Sequence, residues 1–206
     1  MQLITISPRG FGANTYLLTK DGETAIVVDP AQPRVLDEIE KRGLIPVCVL
    51  LTHCHFDHVG GVAALQNNGA RVFCSDKEKP LVGTAADLFS AFGAPRIAYT
   101  VDETFSDGEE KTLCGMQVKL LLTSGHTAGS ACYLIQDGDK KLLLTGDTLF
   151  AGSIGRTDFP TGSIAQLRVS LKKLAALEGD YPVYAGHNEP TTLDTERKTN
   201  PFLRDA

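Results

Sequence analysis

Apolar residues recur along this chain mostly in short runs, each cut off by glycine, proline or aspartate. Leu3–Ile6, Thr15–Leu18 and Ala25–Val28 are predicted strands, with turns at Gly10, Gly12 and Asp21–Gly22. Ala31 to Arg42 has a helical pattern that stops at Gly43, a residue suited to a left-handed cap. Val47–Leu51 is apolar throughout, as expected of a strand covered on both faces. A helix is predicted from Val59 to near Gly69, then a strand over Arg71–Cys74. Asp76 to Gly93 reads as a helix with an early Pro80, and the acidic stretch on to Glu110 as loop and edge. Val118–Thr123, Lys141–Thr145 and Tyr181–Tyr184 are further strands. Ser163 and Gln166 form a capping box for a helix to about Leu177, with Ile164, Leu167, Leu171 and Leu174 as its apolar stripe.

Four of these strands run into chemistry. Val47–Leu51 leads to Thr52-His53-Cys54-His55-Phe56-Asp57-His58. The strand at Val118 leads to Ser124-Gly125-His126, that at Lys141 to Gly146-Asp147, and that at Tyr181 to Ala185-Gly186-His187. All five histidines of the chain lie in these motifs, and three of them fall within six residues, for which packing offers no rationale. In extended backbone His53 and His55 point the same way and converge on one point, while Asp57 and His58 are aimed at a second point nearby. Imidazoles and carboxylates so placed suit Zn, Fe or Mn, and two directions suit two ions. Asp147 is the candidate bridging carboxylate. Asp29, ahead of Pro30, is either an acceptor behind a ligand histidine or a turn-forming residue.

Composition narrows the class. A chain of 206 residues with 42% hydrophobic residues is expected to form one domain with a real core. A net charge of -5 and the lack of a basic run argue against nucleic acid as partner. The N-terminal residues carry no signal-peptide pattern, and no apolar run approaches the roughly 20 residues needed to cross a bilayer. Cys48, Cys54, Cys74, Cys114 and Cys132 are scattered, as small hydrophobes of a reducing cytoplasm would be. Alternation turns Cys54 away from the neighbouring histidines.

Together these motifs resemble the metallo-β-lactamase superfamily, and within it the single-domain relatives of glyoxalase II, the hydroxyacylglutathione hydrolases. The resemblance runs from Asn14-Thr15-Tyr16 through Asp29-Pro30, the His53–His58 motif, Ser124–Thr127, Gly146-Asp147 and Gly186-His187 to the tail Glu196–Leu203. It implies an α/β fold: a four-layer αβ/βα sandwich of two mixed β-sheets flanked by helices, with the site along one edge. It assigns His53, His55 and His126 to a first metal and Asp57, His58 and His187 to a second, with Asp147 bridging. A hydroxide held between two divalent ions, Zn foremost with Fe or Mn as alternatives, would then attack a thioester such as S-D-lactoylglutathione, with Asp57 and Asp147 as the catalytic carboxylates.

The chain also departs from the family. Two-domain glyoxalase II grips glutathione with a C-terminal helical extension, whereas 19 residues follow His187 here (206 minus 187). Gly155-Arg156-Thr157-Asp158-Phe159 replaces a Gly-Lys-Phe-Tyr loop, and Asn188-Glu189-Pro190 follows the last histidine without a tyrosine. Arg156 either binds a substrate carboxylate or pairs with Asp158 to hold its loop. The same loop is similar to that of the persulfide dioxygenases, in which His53, His126 and Asp147 would hold one Fe(II). A non-catalytic metal-bound domain is the third reading. Oligomeric state is not legible.

Overall fold

The computed structural model describes residues 1–8, 10 and 12–204. The first sheet is formed by β1 (Gln2–Ile6), β2 (Thr15–Thr19), β3 (Thr24–Val28), β4 (Ile45–Leu50), β5 (Arg71–Ser75) and β6 (Glu103–Phe105), paired in that order. Its first three strands are antiparallel, and β3 through β6 run parallel. The second sheet comprises β7 (Glu110–Leu113), β8 (Met116–Leu122), β9 (Ala131–Asp137), β10 (Lys140–Gly146), β13 (Pro182–Ala185) and β14 (Thr191–Thr192). Its spatial order is β14-β13-β10-β9-β8-β7, and only the β10–β13 pair is parallel. A two-stranded ribbon, β11 (Leu149–Phe150) with β12 (Ser153–Ile154), follows β10.

Alternation along each strand sorts side chains into three apolar layers. Tyr16, Leu18, Ile26, Val28, Leu50 and Phe73 of the first sheet meet Val118, Leu120, Tyr133, Ile135 and Leu144 of the second. Leu17, Val27, Val49 and Val72 face outward and pack on Val35 and Ile39 of α1 (Val35–Glu40) and Val62 and Leu65 of α3 (Val62–Asn67). Leu121, Cys132, Leu143 and Val183 pack on Leu167, Leu171 and Leu174 of α4 (Ile164–Ala175). Helix, sheet, sheet and helix form the expected four layers. Burial on both faces explains why the strands read as continuous apolar runs.

Several expectations are corrected. The Asp76–Gly93 segment forms two 3₁₀ turns, Lys79–Leu81 and Ala85–Asp87, in place of a helix. Pro80 lacks the N–H a longer helix needs, and Leu88 is left-handed at φ 64°. The predicted Val59–Gly69 helix is two pieces, α2 (Phe56–Val59) and α3, broken at Gly60–Gly61. A Cβ at Gly60 would stand 2.2 Å from the Ala31 carbonyl oxygen, so the break lets the Asp29–Gln32 turn pack against this helix pair. Within β4, Val47 is 37% exposed, so burial on both faces holds only for the half nearest the site. Ser163 accepts from Gln166 N–H, one half of a capping box, while its own N–H donates to the Gly125 carbonyl (2.8 Å) and not to the Gln166 side chain; Ile164 is 46% exposed and lies outside the apolar stripe. The tail forms α5 (Leu193–Thr199) and α6 (Pro201–Arg204). There the buried Glu196 accepts from Gly152 N–H and from the Asn200 amide. No helix among the described residues is long and apolar enough to cross a membrane.

Candidate metal centre

The ends of β4, β8, β10 and β13 meet at one edge of the sandwich, each supplying part of a His/Asp cluster. Leu51–His55 leave β4 without regular structure, and His55 caps the single turn of α2 in extended conformation, at φ −60° and ψ 144°. That turn places Asp57 and His58 a step beyond His53 and His55. Asp147 directly follows β10, and His187 is delivered by Gly186. A Cβ on Gly186 would fall 2.3 Å from Asp147 Oδ1 and 2.7 Å from His58 Cε1, so no larger residue fits there. Asn14 and Tyr16 brace this loop: Asn14 N–H donates to the Gly186 carbonyl (2.7 Å), and the Tyr16 hydroxyl donates to the Ala185 carbonyl (2.6 Å).

Three overlapping groups result, each with ligand atoms within 4.8 Å of one another: His53, His55 and His126; His53, His58 and Asp147; and Asp57, His58 and His187. Asp147 Oδ2 lies 3.6 Å from His126 Nε2 and 3.5 Å from His187 Nε2, while its Oδ1 is 3.4 Å from His58 Nε2. Two atoms bound at 2.0–2.1 Å to one tetrahedral ion stand roughly 3.3–3.4 Å apart, so these separations suit shared ions better than direct hydrogen bonds. The structure thus brings together all seven residues that the sequence picked out for metal. Cys54 is buried outside all three groups.

Hydrogen bonds behind the rings settle which nitrogens face inward. His58 Nδ1–H donates to Asp29 Oδ2 (2.9 Å), and His126 Nδ1–H donates to the Arg156 carbonyl (2.7 Å). The Thr52 hydroxyl donates to Asp29 Oδ2 (2.6 Å), which leaves its oxygen to accept from His53 Nδ1 at 3.1 Å. In each ring Nδ1 holds the proton and Nε2 is turned into the cluster. His55 is reversed: its Nδ1 faces His126 Nε2 at 2.9 Å. The Nε2 atoms of His53, His55 and His58 and Oδ1 of Asp147 are buried without any hydrogen-bond partner. Buried polar atoms are rarely left so, and a cation would satisfy His53 Nε2, His58 Nε2 and Asp147 Oδ1, while His55 would meet it through Nδ1.

The electrostatics divide the cluster. Burial, reinforced by neighbouring histidines, holds His53 well below the usual imidazole range and brings His55 to about 3, so both are neutral and ligand-ready. At His58 burial is outweighed by Asp147, Asp57 and Asp29, and the ring is pushed up. At His187 burial is likewise outweighed, by Asp57, 3.4 Å away, and by Asp147. Burial would raise Asp57 and Asp147, but facing histidines hold both low, His58 first in each case. Without metal, the second group is a network of ion pairs whose protons an incoming ion would displace.

Asp29 fulfils both of its alternatives. It turns the chain at φ 47° and orients His58 and Thr52 with its carboxylate. Arg156 is bonded to Asp158 at 2.6 Å through both Nε and Nη2, while its carbonyl holds His126. Sequence reasoning missed Thr52 and Glu78. The Glu78 carboxylate accepts from Cys54 N–H (2.8 Å) and the Thr127 hydroxyl (2.7 Å), tying the two histidine loops together from behind.

The chain matches the metallo-β-lactamase superfamily over residues 8–187. It belongs to that superfamily. It is 37% identical over 210 residues to the hydroxyacylglutathione hydrolase GloC of Haemophilus influenzae, covering 98% of each chain. Among solved structures it is similar to the B3 metallo-β-lactamase BLEG-1, with TM-score 0.90 and 31% identity, covering 98% of this chain and 99% of that one. TTHA1623 in a di-iron-bound form matches with TM-score 0.83 and 33% identity, covering 97% and 99%. ETHE1 from Myxococcus xanthus matches with TM-score 0.79 and 27% identity, covering 98% and 84%.

Proposed function

We propose that this superfamily member is a hydrolase of acyl thioesters such as S-D-lactoylglutathione, acting with two divalent ions in a reducing, cytoplasmic setting that suits its free cysteines. The observation that carries the reading is that His53 Nε2, His58 Nε2 and Asp147 Oδ1 are buried and turned inward from two strand ends without hydrogen-bond partners. His53, His55 and His126 would hold one ion and Asp57, His58 and His187 the other, with Asp147 between. Zn is the first expectation, and the similarity to a di-iron protein keeps Fe beside it. Such a pair would supply, when bound, a hydroxide at neutral pH and an electrophile for the thioester carbonyl.

The chain's own residues do the positioning. Asp29 and the Arg156 carbonyl fix the tautomers of His58 and His126, and Thr52 fixes that of His53. Asp147 faces both halves of the cluster and sets their spacing. The cleft above, about 640 Å³, admits a thioester between His55 and His187. A thiolate leaves without a dedicated acid because its pKa is near 8.5, and among the described lining residues the groups able to give a proton are the proposed metal ligands themselves. The identity to GloC supports a glutathione-type substrate.

The similarity to ETHE1 favours a second reading, a persulfide dioxygenase with one Fe(II) on His53, His126 and Asp147. Assaying the purified protein with S-D-lactoylglutathione and, separately, with glutathione persulfide in an oxygen electrode decides between them. Thioester loss without oxygen uptake is expected. Oxygen uptake and sulfite without thioester loss would reverse the assignment.

A further inference from the structure

The walls of the same cleft narrow the kind of thioester it takes, an inference that rests on the hydrolase reading. Three phenylalanines from separate segments line it beside His55. Phe56 opens α2, Phe92 lies in the loop after Leu88, and Phe159 follows the Arg156 turn. Phe56 and Phe92 stack at 5.0 Å and 28°, Phe92 meets Phe159 edge-on at 5.8 Å, and Phe159 meets His55 edge-on at 5.8 Å. The rings form one continuous surface running outward from the metal cluster.

Folding alone does not account for Phe92, which is 55% exposed. Its loop is nonetheless tied down. Phe89 is buried in the outer core, Ala94 N–H donates to the Phe89 carbonyl (2.9 Å), and Arg96 binds Asp87 (2.5 Å) while lying over the Phe89 ring. A fixed apolar surface left in water beside a polar centre is the signature of a ligand site.

Charge in the cleft points the same way. Among the described lining residues Arg156 is the one lysine or arginine, and its guanidinium is committed to Asp158 and stacked on Phe159 at 3.8 Å. Apart from the metal centre itself, a carrier with two carboxylates meets no unpaired lysine or arginine among these residues. We propose that Phe56, Phe92 and Phe159 form a binding site for an apolar, ring-sized arm of the substrate, so that thioesters bearing an aryl or bulky alkyl group are preferred to small polar ones such as lactoyl esters.

Calorimetry with uncleavable thioethers tests the wall apart from turnover. S-Phenethyl-N-acetylcysteamine is expected to bind at least about tenfold tighter than the S-ethyl analogue, from ring burial and stacking. Phe92→Ala, at an exposed position, should fold and bring that ratio close to one. Phe202→Ala, on α6 and outside the cleft, should leave it unchanged. Equal binding of the two probes, or a ratio that survives Phe92→Ala, overturns the proposal. Hydrolysis of S-phenylacetyl-N-acetylcysteamine and of S-acetyl-benzylthiol, each against S-acetyl-N-acetylcysteamine and in both wild type and Phe92→Ala, then tells whether the acyl or the thiol arm occupies the wall. A preference for neither overturns it as a substrate site. A binding preference with no hydrolysis of any thioester would leave the wall standing and remove the hydrolase reading instead.

Discussion

Glu78 and Asp147 are both buried acids beside the turn at His53–His58, yet they sit in opposite chemistry. Glu78 is enclosed by neutral donors: each of its oxygens accepts a hydrogen bond, one from Cys54 N–H and one from the Thr127 hydroxyl. Asp147 faces three imidazoles at 3.4–3.6 Å, and its Oδ1 has no hydrogen-bond partner. Burial pushes Glu78 up, while the histidines hold Asp147 down. A saturated carboxylate is a strut between loops. A carboxylate kept charged and unsatisfied at the meeting point of two ligand groups is built to take a cation.

Substituting each acid should separate the two roles. The largest effect is expected for Asp147→Ala, which should lose most bound metal and lower thioester kcat/KM by on the order of 10³-fold, leaving the metal-free fold largely intact. Unchanged kinetics would end the bridging role. Glu78→Ala should instead act on stability, by about 3 kcal/mol in urea titration, because it strands two buried donors and opens a cavity. If this variant lost metal but not stability, the contrast would be reversed.

A smaller effect lies in pH. The folded pKa of Glu78 lies above its ordinary 4.5, so its contribution is fully present below the unfolded value and is lost as pH rises through the folded one. The destabilisation caused by Glu78→Gln should therefore shrink as pH rises above about 4.5. A penalty that grows with pH would contradict the direction of the shift. Smallest of all, Arg156→Ala should leave KM for a glutathione thioester within about twofold, because its guanidinium is engaged by Asp158 and exposed pairs contribute little. A tenfold rise would reinstate Arg156 as a carboxylate anchor.

What was legible in the sequence was local. His53, His55, Asp57 and His58 lie within six residues, and the other three residues of the cluster each follow an apolar run closed by glycine. The layered fold came from the family resemblance, and the alternation of Leu17 outward with Tyr16 and Leu18 inward shows its physical basis. What was missed depends on distance along the chain. Glu78 reads as one more acid of a charged stretch, and only its partner Thr127, 49 positions away, reveals its role. Phe92 joins Phe56 and Phe159 through a loop that a helical reading of Asp76–Gly93 conceals. That reading failed because Leu88 adopts a left-handed conformation that its own side chain does not announce. Arg156 was ambiguous until its geometry showed both Nε and Nη2 on Asp158.

The most direct test of the central claim is metal content per chain by elemental analysis, on protein purified without added metal, with S-D-lactoylglutathione turnover measured on the same sample. Close to two divalent ions per chain together with hydrolysis is the predicted result. A single iron, no hydrolysis, and oxygen consumed with glutathione persulfide would contradict it.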